Sequence, residues 1–391
     1  MIALLTIVSS IIALAALLPA LVLFAEVLAS LAPVRRFTPG SENPSLAVLI
    51  PAHNEGAHLL PTLRDLSAAA EAGARVIVVA DNCTDDTAEV AKNAGADVLI
   101  RHDPERRGKG YALQYAIDAL RSASPEIVLF LDADARFAPD APFALARLSA
   151  SQGRPVQARY DMAPADDAGP VGAVAAFAWV FINLVRMRGL ASIAGVTRFT
   201  GVGLAAPWST LEGLDFGSGA LTEDHGLTFA LAERRAAPRF APWIRVESAF
   251  PQKQSAMVTQ RARWEHGSLG VLTRLAPRAL ARAIREKNMQ LGAIALDAMT
   301  PPLAAYAVFL TAAVMVSAVT ALVGPAAPLA IVVTAGGLFA LSVVIGWAAF
   351  GRRILPAHAL PGVFSFLAAK LKIYGRSGRD SAKRWTRTER D

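Results

Sequence analysis

A chain of 391 residues has room for one large domain or two, and 54% apolar against 18% charged residues points to a membrane protein. The net charge of +7 gathers in 274–287 and 352–390, beside the longest apolar stretches, which suits an anionic membrane surface and not nucleic acid. Cys83 is the only cysteine, which excludes an intrachain disulfide and agrees with a reducing compartment.

Residues 2–25 carry no charge, so 1–33 is expected to be a transmembrane helix. It has no basic region ahead of it and is longer than the apolar core of a signal peptide. "VRRF" follows directly, which puts residue 35 onward in the cytoplasm and the N-terminus outside. From about 45 the pattern changes. "SLAVLIPA", "ARVIVVAD", "ADVLIR" and "EIVLFLDAD" are short apolar runs rich in β-branched residues. Helix-like stretches at 57–72, 84–94 and 108–122 separate them. That rhythm predicts a parallel sheet with helices on its faces, binding ligands beyond the C-terminal ends of its strands. The polar clusters stand at those ends: "AHNE", "DNCTDD" and "DAD". No G-x-G-x-x-G follows the first strand and no Walker motif is present, which excludes the usual nicotinamide, flavin and P-loop classes.

Asp132 and Asp134 end the fourth run. Spaced i, i+2 on a strand they share a face, and two carboxylates held together call for a cation. "RRGKGYALQ" opens a helix with Lys109 in front, a place suited to a phosphate. Asp81 ends the second strand, where it serves either a base or ribose or an Asx turn. "PVGAVAAFAWVFINLV", 170–185, is expected to be a buried or membrane-lying helix and not a span. Thr222, Glu223 and Asp224 start a helical pattern, where they read as a helix cap or as chemistry. Gln260, Arg263 and Trp264 sit at i, i+3 and i+4, one helix face suited to a phosphate and a flat sugar. The apolar region 291–350 breaks at "VGPAAPLA" and returns at "GRRIL", giving spans 291–323 and 326–350. The histidines show no zinc spacing.

Asp132/Asp134, then "TED", then "QRARW", in that order and at these separations, resemble the membrane-embedded family 2 glycosyltransferases. These include the synthases of cellulose, hyaluronan, chitin oligosaccharides and poly-N-acetylglucosamine. The likeness covers roughly 45–270, and "VLIPAHNE" and "ADNCTDDT" are similar to that family's nucleotide-binding strands. It implies an α/β GT-A fold, a Rossmann-like nucleotide-diphospho-sugar transferase domain in the cytoplasm, flanked by transmembrane helices. The implied organisation is a catalytic domain at 45–252, interfacial amphipathic helices with the Q-x-x-R-W motif at 253–288, and a basic interfacial tail at 354–391.

The resemblance further implies a hexosyltransferase with these roles. Pro51, His53, Asn54, Glu55 and Asp81 contact the nucleoside, and Lys109 and Asp132 the diphosphate. Asp134 with Asp132 holds Mg²⁺ or Mn²⁺. Asp224 is the general base within Thr222-Glu223-Asp224. Gln260, Arg263 and Trp264 hold the diphosphate and the acceptor end, and Phe199, Thr200 and Gly201 of "FTGVG" lie beneath the acceptor. The expected reaction is inverting transfer from a UDP-sugar to a growing saccharide at the bacterial inner membrane, in exopolysaccharide or oligosaccharide synthesis. Transfer of a single sugar to a membrane lipid stands second, and a non-catalytic membrane subunit that keeps the fold stands third. Two adjacent acids, common in relatives, are replaced here by Ala80-Asp81. Three spans are few for polymer export, which leaves a homo-oligomer or a lipid acceptor to complete the path. Membrane lipids are the remaining expected partners, and no nucleic acid is.

Overall fold

The computed structural model describes residues 2–163, 169–217, 223–250 and 254–373. Its centre is an eight-stranded sheet. β1 (Leu46–Ala52), β2 (Arg75–Asp81), β3 (Asp97–Arg101) and β4 (Ile127–Phe130) are the four apolar runs, lying parallel in the order β3-β2-β1-β4. Both faces of β1, β2 and β4 are covered, while β3 is the edge strand, with Ile100 exposed. Along β1, Leu46, Val48 and Ile50 join one core and Ala47 and Leu49 the other, which is why the strand reads as a continuous apolar run. Each fully buried aliphatic side chain here contributes about 1.5–3 kcal/mol.

The sheet is not parallel throughout. β5 (Arg136–Phe137), β6 (Val156–Ala163), β7 (Leu204–Pro207) and β8 (Arg239–Ala249) extend it to the order β3-β2-β1-β4-β7-β6-β8-β5. β7 runs antiparallel to both β4 and β6, while β6 and β8 are parallel.

The helices that matter for the site follow in chain order. α1 is Ile2–Ser30, α2 Lys109–Leu120 and α3 Ala141–Gln152, the last two packing on opposite faces of the sheet. α4 is the long helix Gly169–Ala194, with a π-helical stretch at Phe181–Arg186. α5 (Glu223–Glu233), α6 (Gln254–Gly270), α7 (Ala276–Glu286) and α8 (Met289–Ala298) complete the sheet domain. α9 (Leu303–Ala321) and α10 (Ala327–Gly346) pack with α1, and α11 (Gly362–Ile373) closes the described chain.

Among the described residues four helices are long and apolar enough to cross a membrane, where three spans were expected from sequence. α4 is the additional one, and it differs from the others: 61% of its most apolar window is buried inside the protein, against 22–33% for the remaining three. It is wedged between the sheet and the bundle. The expected span 291–323 divides in two. Pro301 and Pro302 lack backbone N–H groups and disfavour helix at the residue before them, so α8 ends at Ala298 and α9 starts at Leu303. α8 packs against α7 through Leu291, Ile294, Ala279 and Ala283 as part of the sheet domain.

In the bundle of α1, α9 and α10, α1 turns small residues inward and large ones outward. Ala13, Ala16 and Ala20 are fully buried, and the Tyr306 hydroxyl donates to the Ala16 carbonyl. Ile7, Ile11 and Leu14 on the same helix are 56–61% exposed. Close backbone approach at small residues with an apolar exterior is how helices associate in lipid.

Candidate active site

The polar clusters gather, as expected, beyond the C-terminal ends of the parallel strands. After β1 the chain turns at Asn54, and after β2 at Asn82, with φ of 54° and 53°. Asparagine is among the few residues that tolerate this left-handed backbone. The two turns are laced together. Asn54 Oδ1 accepts from the Thr84 amide at 2.7 Å, and Thr87 Oγ1 accepts from the amides of Glu55 (2.8 Å) and Gly56 (2.9 Å). His53 Nδ1 lies 2.6 Å from the Asp81 carbonyl oxygen. Asp81 is buried, and its Oδ1 accepts from Arg101 at 2.6 Å and from Asn82 at 3.0 Å. Arg101 in turn lies 5.7 Å from the Tyr111 ring centre. Pro51, His53, Asn54, Glu55 and Asp81 therefore form a braced rim beside the main cavity and do not line it. Arg101 is a brace that sequence reasoning missed.

The main cavity has a volume of about 530 Å³. It brings together Lys109, Asp132, Asp134 and Asp224 with Gln260, Arg263 and Trp264, and with Phe199, Thr200 and Gly201. Lys109 opens α2, and its ammonium donates to Asp132 and, at 2.7 Å, to the Gly201 carbonyl. β4 stops at Phe130, so Asp132 and Asp134 stand in a turn beyond the strand, closed by the Ala135 amide donating to the Asp132 carbonyl at 3.1 Å. They reach one cavity through that turn and not through strand alternation, which corrects the reason for pairing them. The described residues contain no group of three or more His, Cys, Asp and Glu suited to a metal. Two carboxylates facing a cavity nevertheless fit Mg²⁺ or Mn²⁺, which take one or two carboxylates and complete their shell with substrate phosphates and water.

Asp224 is the second residue of α5, and its Oδ1 accepts from the His225 amide at 2.9 Å and lies 3.2 Å from His225 Nδ1. Burial pushes the Asp224 carboxyl up, but His225, by charge and hydrogen bonding, and then Lys109 outweigh it and hold the group below the ordinary carboxylate range. A lowered value keeps Asp224 ionised, and so able to take a proton, until the pH falls below that range. The acid limb of a pH–rate profile should lie there, and His225→Ala should move it to higher pH. Thr228 Oγ1 donates to the Asp224 carbonyl at 2.8 Å and accepts from the Phe199 amide at 2.9 Å, tying the "FTGVG" loop to the helix of Asp224. Thr222 lies outside the described residues, as does the side chain of Glu223.

From α6, Gln260 is buried, and Trp264 meets Trp179 of α4 at 5.2 Å between ring centres. Trp179 stands edge-on to Tyr160 (5.2 Å) and Phe250 (6.0 Å) and donates its Nε1–H to the Tyr160 carbonyl at 2.9 Å. The result is an aromatic wall suited to the apolar face of a sugar. Trp179 was legible only as a lone tryptophan in an apolar helix, whose indole N–H needs a partner when buried.

The cavity floor carries a second feature absent from the sequence reading. Arg186 of α4 pairs with Glu26 of α1 at 2.8 Å and with Asp297 of α8 at 2.7 Å. Arg198, next to the "FTGVG" loop, pairs with Asp297 at 2.8 Å. All four are buried. The signal was an acid in each of two apolar stretches, since a buried charge requires a partner.

Residues 44–267 match the family model described as "Glycosyltransferase like family 2". No curated protein sequence matches the chain. Among solved structures the fold is similar to a mannosyltransferase from Pyrobaculum calidifontis, in complex with GDP-Man and Mn²⁺, at 18% identity and a TM-score of 0.57, covering 93% of this chain and 98% of that one. Two others align less well. Glucosyl-3-phosphoglycerate synthase from Mycobacterium tuberculosis gives 21% identity, a TM-score of 0.39 and coverage of 60% and 88%. Mannosyl-3-phosphoglycerate synthase from Rubrobacter xylanophilus gives 20%, 0.41, and 62% and 75%.

Proposed function

The chain belongs to glycosyltransferase family 2, and we propose that it is an inverting, metal-dependent hexosyltransferase that uses a UDP-sugar and acts at a membrane, with its sheet domain in the cytoplasm. The observation that carries this reading is convergence: Asp132 and Asp134, Asp224, and Gln260, Arg263 and Trp264 come from separate elements and line one cavity.

Residues 51–55 and Asp81 bind the nucleoside, and Arg263 and Lys109 face the diphosphate. Asp132 and Asp134 hold Mg²⁺ or Mn²⁺, which, when bound, offsets the charge that grows on the departing diphosphate. The aromatic wall orients the sugar ring. Asp224 accepts the proton of the acceptor hydroxyl as its oxygen attacks C1 and the bond to the diphosphate breaks. One direct displacement inverts the anomeric centre, so an α-linked donor gives a β-linked product.

A specific observation favours the lipid acceptor over the growing saccharide. The cavity extends to Pro301, Pro302 and Leu303, where α9 begins, while the interior of the α1–α9–α10 bundle is filled by Ala16, Ala20, Tyr306, Leu310 and Ala335. An acceptor in the bilayer reaches this cavity from the side and needs no pore through the chain. Mass spectrometry of the product tests this: one sugar added to a lipid is expected, and a ladder of sugar additions would restore the polymerase.

A further inference from the structure

α6 and α11 face one another at the cavity wall. Arg261 and Glu265 lie at i, i+4 on α6, and Phe366 and Lys370 at i, i+4 on α11, so each pair shares a helix face. All four line the cavity. Lys370 pairs with Glu265, their side chains only 12% and 10% exposed. The Arg261 guanidinium lies 5.7 Å from the Phe366 ring centre and 6.0 Å from that of Phe250, and the Lys370 ammonium 5.6 Å from Phe366. Phe366 also packs into the cluster that contains Leu23 and Val27 of α1 and Phe177 of α4. The group therefore stands where the cavity meets the membrane helices.

Charge distinguishes this cluster from the one on the cavity floor. There, two arginines meet two carboxylates. Here, among the described residues, Arg261 and Lys370 both act on one carboxylate, Glu265. Burial pushes the Arg261 guanidinium down, with Glu265 opposing, and pushes Lys370 down, with Glu265 opposing and Arg261 adding to the shift. A pin for α11 would need only Lys370 and Glu265. A second desolvated cation is a cost unless an anion arrives to meet it. Arg263 does not duplicate Arg261, because two residues along a helix turn the side chain by about 200°.

We propose that Arg261 and Lys370 form an anion subsite for a phosphate ester carried by the acceptor beside the hydroxyl that attacks C1. The inference rests on the glycosyl-transfer reading and names its acceptor class: a hydroxyl compound bearing phosphate, with Phe366 and the adjoining helix ends placed to receive lipid chains. The hydroxyl proton goes to Asp224, the hydroxyl oxygen bonds to C1, and the electron pair of the broken C1–O bond leaves with the nucleoside diphosphate. The phosphate ester is unchanged.

The test is calorimetric titration of the detergent-solubilised full chain, saturated with UDP and Mn²⁺ so that the donor site is filled. The probes are dihexanoyl phosphatidylglycerol, dihexanoylglycerol and glycerol 3-phosphate. The phosphate-bearing lipid should bind at least about tenfold more tightly than the uncharged one, the equivalent of one charge-assisted hydrogen bond. Arg261→Gln or Lys370→Gln should remove that difference while UDP–Mn²⁺ affinity stays unchanged. Glu265→Gln separates a subsite from a pin: releasing both cations should tighten the charged lipid, whereas loss of a pin would loosen it. Glycerol 3-phosphate binding as tightly as the lipid would support the subsite with a soluble phosphate ester as its ligand, and much weaker binding would support a lipid. Equal binding of charged and uncharged lipids, or weaker binding in Glu265→Gln, would overturn the proposal. Failure of UDP to bind with Mn²⁺ before any lipid is added would instead overturn the donor-site reading.

Discussion

Asp224→Asn is expected to lower kcat by about 10²–10⁴-fold, the range for loss of a general base, with the affinity for UDP-sugar within about twofold of the parent. Asparagine keeps the size of the side chain and an oxygen that can accept from the His225 amide, so the start of α5 retains its hydrogen bond. It loses the capacity to take a proton. A hydroxyl is a poor nucleophile, and without a base its proton must leave unaided. Single-turnover rates beside equilibrium donor binding make the check. A parallel fall in donor affinity would move Asp224 from proton transfer to donor binding.

Asp297→Ala is expected to destabilise the folded chain by about 3–5 kcal/mol, the cost of leaving buried charge without its partner. Asp297 neutralises two arginines at once. Its Oδ1 accepts from Arg186 at 2.7 Å, and its carboxylate takes Arg198 Nη1 at 2.8 and 2.9 Å. Its removal leaves Arg186 with Glu26 alone and takes from Arg198 its carboxylate partner. The same pairs fasten α1, α4 and α8 to the residue that precedes Phe199, so the "FTGVG" loop should lose order with them. Denaturant unfolding in detergent measures the loss, and donor binding at low temperature measures the effect on the cavity. A change below about 1 kcal/mol, typical of exposed pairs, would mean that water reaches these charges.

The first half of the sheet was legible because β1, β2 and β4 are covered on both faces and the edge strand β3 is still rich in β-branched residues. Such strands are unbroken apolar runs, and turn residues with ligand-facing side chains end them. β6 and β8 were not legible: "VQARYDMA" and "RFAPWIRVESA" mix charged and apolar residues, and β7 is only four residues long. The single helix over 291–323 failed because apolarity hid the Pro301-Pro302 break, and because α8 is apolar for packing on α7 and not for crossing lipid. Within the site, Asp132, Asp134, Asp224 and Arg263 stood out as polar residues punctuating apolar patterns. Tyr160, Trp179 and Phe250 did not, since aromatics among apolar neighbours read as core. Phe366 and Lys370 meet Arg261 and Glu265 across more than a hundred residues of chain, a juxtaposition that only the tertiary fold creates.

Sugar transfer in the cavity is the step on which every other proposed role depends. It is tested most directly by UDP release from the purified chain in vesicles made with membrane lipid extract, across a panel of UDP-sugars with Mn²⁺ or Mg²⁺. Metal-dependent release from one donor, absent in Asp224→Asn, is the predicted result and would name the sugar as well. UDP that binds with metal but is released from no donor, with the lipid extract present, would contradict the claim and leave a membrane subunit that keeps the fold without the reaction.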